Sequence, residues 1–322
     1  MNASYSIHPD MRELIAAKEV LARTTDPAVL RAEWNNYGAK LSRPYPHGMV
    51  VKDEAFACPG AGRDGTVQVR IYRPAAARSG ASCVIFIHGG GFIKGSLDSA
   101  DGNAWGISDQ TGAVVVSVDY RLAPEFRYPA ALTDVYEVLR YVTTNSEALG
   151  VDSDRIAVWG DSAGGNLSAA VSLLARDKGG PKLAAQVLVY AALTNEPKAP
   201  SYSVHANSVG LTASSVADCW KQYLGDKSAD VEPYAAPLKS GNLRNLPPAF
   251  IHHAEIDPIA DDSAEYAERL TAAGVPTTLR CAKGMIHGFL RARFTGPTAA
   301  SEFSLPCMFL RGIFASAMAR AA

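Results

Sequence analysis

A chain of 322 residues, 48% hydrophobic and 20% charged, has room for one large α/β domain or two small ones and the composition of an ordinary globular protein. Its formal net charge of -1, without a run of Lys and Arg, leaves no electrostatic footprint for nucleic acid or an anionic membrane surface. Its five cysteines are far apart, odd in number and form no C-x-x-C pair, which speaks against a disulfide framework or a structural zinc site and for free thiols in a reducing compartment.

The start of the chain has no basic segment followed by an apolar core, and no apolar run approaches the roughly 20 residues that cross a bilayer. The expectation is a cytoplasmic protein with no stable membrane insertion. Asp10 with Glu13 is spaced as a capping box and predicts a helix with Met11, Leu14 and Ile15 on one face. Asp26-Pro27 predicts a second helix, along which Leu30, Trp34, Tyr37 and Leu41 recur at helical spacing. Alternation at 67–71 reads as a strand with one solvated face, and the unbroken apolar run 83–87 as a strand covered on both faces. That run ends in His88-Gly89-Gly90-Gly91-Phe92. Strands at 114–118, 156–159 and 185–190 then alternate with helices at 129–146 and from Ser162 to about Arg176, which implies a mainly parallel sheet with right-handed crossovers. The period is lost between about Asn195 and Asn245, apart from helical pieces near 213–223; this is too long for a plain connection and reads as an inserted lid. A strand at 249–254, a helix at 263–273, a strand at 277–281 and a last helix from about 299 to 320 complete the chain.

The chemistry starts at Gly160-Asp161-Ser162-Ala163-Gly164, a G-x-S-x-G turn between strand and helix with Ser162 at its apex; flanking residues must be small for so sharp a reversal. A serine hydroxyl needs a base, normally a histidine oriented by a carboxylate. Of the seven histidines, His287 follows the last strand in a Gly-rich turn, and Asp257 follows the strand before it. Glu255, Asp261 and Asp262 are nearby rivals for the acid. The order serine, acid, histidine is the one associated with the α/β-hydrolase arrangement. Gly89, Gly90 and Gly91 can present backbone amides to a developing oxyanion, and the Ala163 amide at the start of the helix adds another. His88 reads as a support of the glycine loop, His252-His253 as packing residues on opposite faces of a strand, and Arg121 with Glu125 as a structural ion-pair network. The run from Gly90 to Ser96 has its lysine before the final glycine, so it is not a phosphate loop.

Together with Asp119-Tyr120-Arg121-Leu122-Ala123-Pro124-Glu125, Asp257-Pro258 and His287-Gly288-Phe289, these motifs resemble the bacterial hormone-sensitive-lipase family of α/β hydrolases over roughly 84–289. The resemblance implies a triad of Ser162, Asp257 and His287, an oxyanion hole from Gly89, Gly90, Gly91 and Ala163, no cofactor and no metal. It also implies a carboxylesterase acting on short acyl esters of small molecules, and a homodimer as a family-based expectation. It further implies a helical cap segment at 1–50, a catalytic domain at 51–194 and 246–322, and a cap insertion at 195–245. Two departures, Ile259 after Asp-Pro and Phe126 after Pro-Glu, leave the triad untouched. Amidase, lactonase or deacetylase chemistry on the same triad stays open, as does a ligand-binding receptor of the same fold without turnover, against which His287 in its Gly-Phe context argues.

Overall fold

The computed structural model describes residues 5–20, 24, 26–226 and 231–321. Eight strands form the central sheet: β1 (Val50–Ala57), β2 (Thr66–Arg73), β3 (Ala81–Ile87), β4 (Val114–Val118), β5 (Val151–Asp161), β6 (Ala185–Val189), β7 (Ala249–Ile256) and β8 (Thr277–Ile286). Helices α1 (Arg12–Glu19) and α2 (Pro27–Leu41) precede the sheet. Within it come α3 (Leu97–Thr111), α4 (Ala130–Thr144), α5 (Ala163–Asp177), α6 (Ser201–Val204), α7 (Ala213–Leu224) and α8 (Ala260–Ala272), and α9 (Pro297–Ala321) ends the chain.

The strand order is β1-β2-β4-β3-β5-β6-β7-β8. The β1/β2 and β2/β4 pairs are antiparallel, and β3/β4, β3/β5, β5/β6, β6/β7 and β7/β8 are parallel. Parallel neighbours need long crossovers, and α3, α4, α5 and α8 supply them. Period-two alternation sorts the central side chains into two cores. Cys83, Ile85 and Ile87 of β3 and Ile156 and Val158 of β5 pack in the cluster that holds Val138 of α4 and Leu167 of α5. Val84, Phe86, Ala157 and Trp159 pack in the cluster that holds Ala104 of α3 and Phe303 of α9. Burial on both faces is why 83–87 of β3 and 156–159 of β5 read as unbroken apolar runs. Met11, Leu14, Tyr37 and Leu41 join the second cluster, so the apolar faces of α1 and α2 dock against the body of the molecule.

Several local expectations need correction. Asp10 does not start its own helix: His8 accepts from the Asp10 amide at a 3-10 turn over Pro9–Met11, and α1 has no side-chain cap. The Asp10 carboxylate instead reaches the far end of the chain, accepting from Thr298 N at 2.9 Å and Ala299 N at 3.0 Å at the start of α9. Arg121 and Glu125 belong to two networks, not one: Arg121 pairs with buried Asp134 at 2.7 Å, and Glu125 with Arg31 of α2 at 2.7 Å. Helix α3, whose glycines and aspartates mask it in the sequence, is fixed at its start by a reciprocal Ser96–Ser99 capping box. β8 runs on to Ile286 and α8 begins at Ala260, each extending further than the sequence period shows. Among the described residues no helix is long and apolar enough to cross a membrane. All five cysteines are free.

Candidate active site

The parallel strands end on one edge of the sheet, where loops converge and ligands of such sheets bind. β5 delivers the chain to Ser162, whose φ of 56° and ψ of -119° put a non-glycine residue in a conformation that costs on the order of 1–3 kcal/mol. The surroundings hold it there. The Ser162 amide donates to the Val189 carbonyl at 2.9 Å, and a Cβ at Gly160 would strike the Gly164 carbonyl, while one at Gly164 would strike the Ile87 carbonyl. The small residues of the G-x-S-x-G turn are therefore a packing requirement at both positions.

The residues singled out from β7 and β8 meet this turn. The Ser162 hydroxyl donates to His287 Nε2 at 2.9 Å, and His287 Nδ1 donates to Asp257 Oδ2 at 2.7 Å, the tautomer that satisfies both bonds. Asp257 is fully buried, and its other oxygen accepts from the Ile259 amide at 3.1 Å. The rival carboxylates are occupied elsewhere. Glu255 accepts from Lys283 at 2.7 Å and the Gly284 amide at 2.8 Å, Asp261 from the Ser201 amide at 2.9 Å, and Asp262 from the Tyr202 hydroxyl at 2.9 Å.

The glycine loop after β3 lies beside the serine. Gly89 has to be corrected as an oxyanion donor, because its amide already donates to Asp161 Oδ1 at 2.9 Å. The amides of Gly90, Gly91 and Ala163 donate to no other group among the described residues. Burial raises the Asp161 carboxyl above the usual range, opposed by Arg291 and by the Gly89 amide. His88 stands below the loop: its Nδ1 donates to the Gly89 carbonyl at 3.0 Å, its ring stacks on Tyr120, and burial lowers it to about 4, so the imidazole is neutral.

A cavity of about 560 Å³ opens over Ser162 and His287. Its walls come from the loops of the sheet, from Trp34 and Tyr37 of α2, and from Val216 and Trp220 of α7. The segment at 208–211 passes so close to the base that a Cβ on Gly210 would lie 2.9 Å from the His287 amide nitrogen. Sequence reasoning missed Lys18, Lys94 and Arg291, which also line this cavity. A signal existed for two of them, since Lys94 follows the glycine loop and Arg291 sits one turn past His287.

Residues 84–291 match a family described by the alpha/beta hydrolase fold. Carboxylesterase NlhH of Mycobacterium tuberculosis is 43% identical over 244 residues, spanning 74% of this chain and 76% of that one. Esterase LipI of the same organism is 38% identical over 253 residues, spanning 78% and 79%. The structure of a hyperthermophilic esterase from the archaeon Pyrobaculum calidifontis superposes with a TM-score of 0.87 at 34% identity, covering 96% of this chain and 99% of the other.

Proposed function

Because the chain belongs to the α/β-hydrolase superfamily, in its hormone-sensitive-lipase-like branch of carboxylesterases, we propose that Ser162, His287 and Asp257 are the machinery of its ester hydrolysis. The chain is a carboxylic ester hydrolase, and the triad is our assignment within it. What carries it is the hydrogen-bonded chain from Ser162 Oγ through both nitrogens of His287 to a fully buried carboxylate.

His287 Nε2 takes the hydroxyl proton as Ser162 Oγ attacks the ester carbonyl, and Asp257 stabilises the imidazolium that results. The oxyanion is received by the amides of Gly90, Gly91 and Ala163, with Gly89 holding the loop in place through Asp161. His287 then protonates the departing alcohol, and a water activated by the same nitrogen releases the acid from Ser162. Residues 1–50 and 195–245 serve as a cap, a reading supported by Trp34 and Tyr37 from the first and Val216 and Trp220 from the second, all of which line the cavity. Short-chain acyl esters are the substrates of this reading.

The test is kinetic. Purified protein is expected to hydrolyse short-chain p-nitrophenyl esters, and Ser162→Ala to lose about a thousandfold or more in kcat with the fold intact by circular dichroism. Undiminished turnover in that variant would remove Ser162 from the mechanism.

A further inference from the structure

One end of the cavity is cationic. Lys18 of α1, Lys94 after the glycine loop and Arg291 in the 3-10 turn after β8 all line it, and all three are grouped around one indole. The Lys94 ammonium lies 4.8 Å from the Trp34 ring centroid, the Arg291 guanidinium 5.3 Å and the Lys18 ammonium 5.9 Å. Three positive charges drawn from three separate elements repel one another at this range unless something negative lies between them.

Glu19, Glu33 and Asp161 border the same cavity, yet no carboxylate among the described residues forms an ion pair with these cations. Lys18 donates to the Gly210 carbonyl and Arg291 to the Ser99 carbonyl. Neither Glu19 nor Glu33 pairs with a cation among the described residues, and the buried Asp161 carboxylate is engaged by the Gly89 amide. Burial, with the like charges of Lys94 and Arg291, lowers the Lys18 ammonium to about 8, partly offset by Asp257. The cluster lines the same cavity as Ser162, and Arg291 opposes the burial that raises the carboxyl of Asp161, the residue next to that serine.

We propose that Lys18, Lys94 and Arg291 form a subsite for an anionic group on the substrate, so that the enzyme prefers esters bearing a carboxylate at the end remote from the scissile bond. This rests on the hydrolase reading of Ser162 and deepens it. Arg291 and Lys94 are the main ligands, with the Trp34 face closing the subsite and Lys18 contributing the third positive charge.

The experiment compares matched pairs. On the acyl side, the p-nitrophenyl monoester of adipic acid is set against p-nitrophenyl hexanoate; on the alcohol side, para-acetoxybenzoate against para-acetoxybenzamide. Wild-type protein is expected to favour the anionic member of at least one pair by about tenfold or more in kcat/KM, a preference that shrinks as salt is raised. The pair that shows it tells which half of the ester faces the cations. Lys94→Met and Lys18→Met are each expected to reduce that anionic-to-neutral ratio about fivefold or more. A role confined to stability would lower both members alike and leave the ratio in place, which would overturn the subsite. So would equal kcat/KM for both members in the wild type, with the hydrolase reading intact. Turnover of neither member of either pair would strike at the hydrolase reading itself.

Discussion

Burial without a charged partner lowers the His88 imidazole to about 4 from the ordinary 6.5, while it stays bonded to the Gly89 carbonyl. Above pH 6.5 both folded and unfolded chains hold it neutral; as pH falls from 6.5 to about 4, only the unfolded chain takes up the proton. Stability should therefore fall over that window, His88 contributing at most about 3 kcal/mol of the loss. His88→Gln is expected to flatten the slope of unfolding free energy against pH between those limits, read from urea melts at several pH values; an unchanged slope would contradict a neutral buried imidazole. Asp161 makes a second claim at this scale. Removing its carboxylate in Asp161→Ala leaves the Gly89 amide buried without an acceptor and loosens the glycine loop. The variant is expected to lose about tenfold or more in kcat, with KM less affected and Asp161→Asn recovering much of the loss. A uniform fall in kcat/KM through KM alone would separate Asp161 from the oxyanion donors. The convergence of Ser162, His287 and Asp257 was legible in the sequence because chain order and position after successive strands limit which residues can meet. The capture of Gly89 was not, because which of three identical amides turns inward depends on a contact with a carboxylate on another strand.

The elements most visible in the sequence are those whose local pattern and tertiary burial agree. The stretches 83–87 of β3 and 156–159 of β5 are continuously apolar because both faces are covered, and α4 shows a single apolar stripe because one face is. Helix α3 lacks such agreement. Packing needs its Gly106, where a Cβ would run into the buried Arg293 guanidinium, while a Cβ on Gly102 would meet Ser42 Oγ only at 3.3 Å. Asp10 departs from its local pattern for a related reason, since a carboxylate near one helix start caps another when the fold brings the two together. There it accepts two of the amides that α9 cannot satisfy internally, and it is buried. Asp10→Ala is expected to lower stability by about 1–2 kcal/mol in chemical denaturation, with Asp10→Asn losing less. Equal stability for Asp10→Ala and wild type would mean that water or a neighbour caps α9 as well as Asp10 does.

At the scale of the molecule, the cavity joins parts of the chain that are distant in sequence. α1 and α2 lie before the sheet and α7 lies between β6 and β7, yet all three line the space over Ser162. Lys18 of α1 donates to the Gly210 carbonyl in the segment that packs on His287, so the two regions hold each other over the base. Sequence period could identify each helix but not this joint wall, because a cavity lining carries no periodic signature: Ile15 and Val216 look like ordinary apolar residues of amphipathic helices. The wall nevertheless sets a steric limit on the substrate if both regions close it. Ile15→Ala and Val216→Ala each remove methyl or methylene groups from it, and one such group is worth about 1 kcal/mol or more in a pocket. Each variant is therefore expected to raise the kcat/KM ratio of longer over shorter esters about threefold or more, in a series lengthened first on the acyl and then on the alcohol side. Because the two residues come from separate regions, the double variant should multiply the single effects. If Val216→Ala shifts the profile and Ile15→Ala leaves it unchanged in both series, the limit is set by 195–245 alone, and the N-terminal helices shield the site without measuring the substrate.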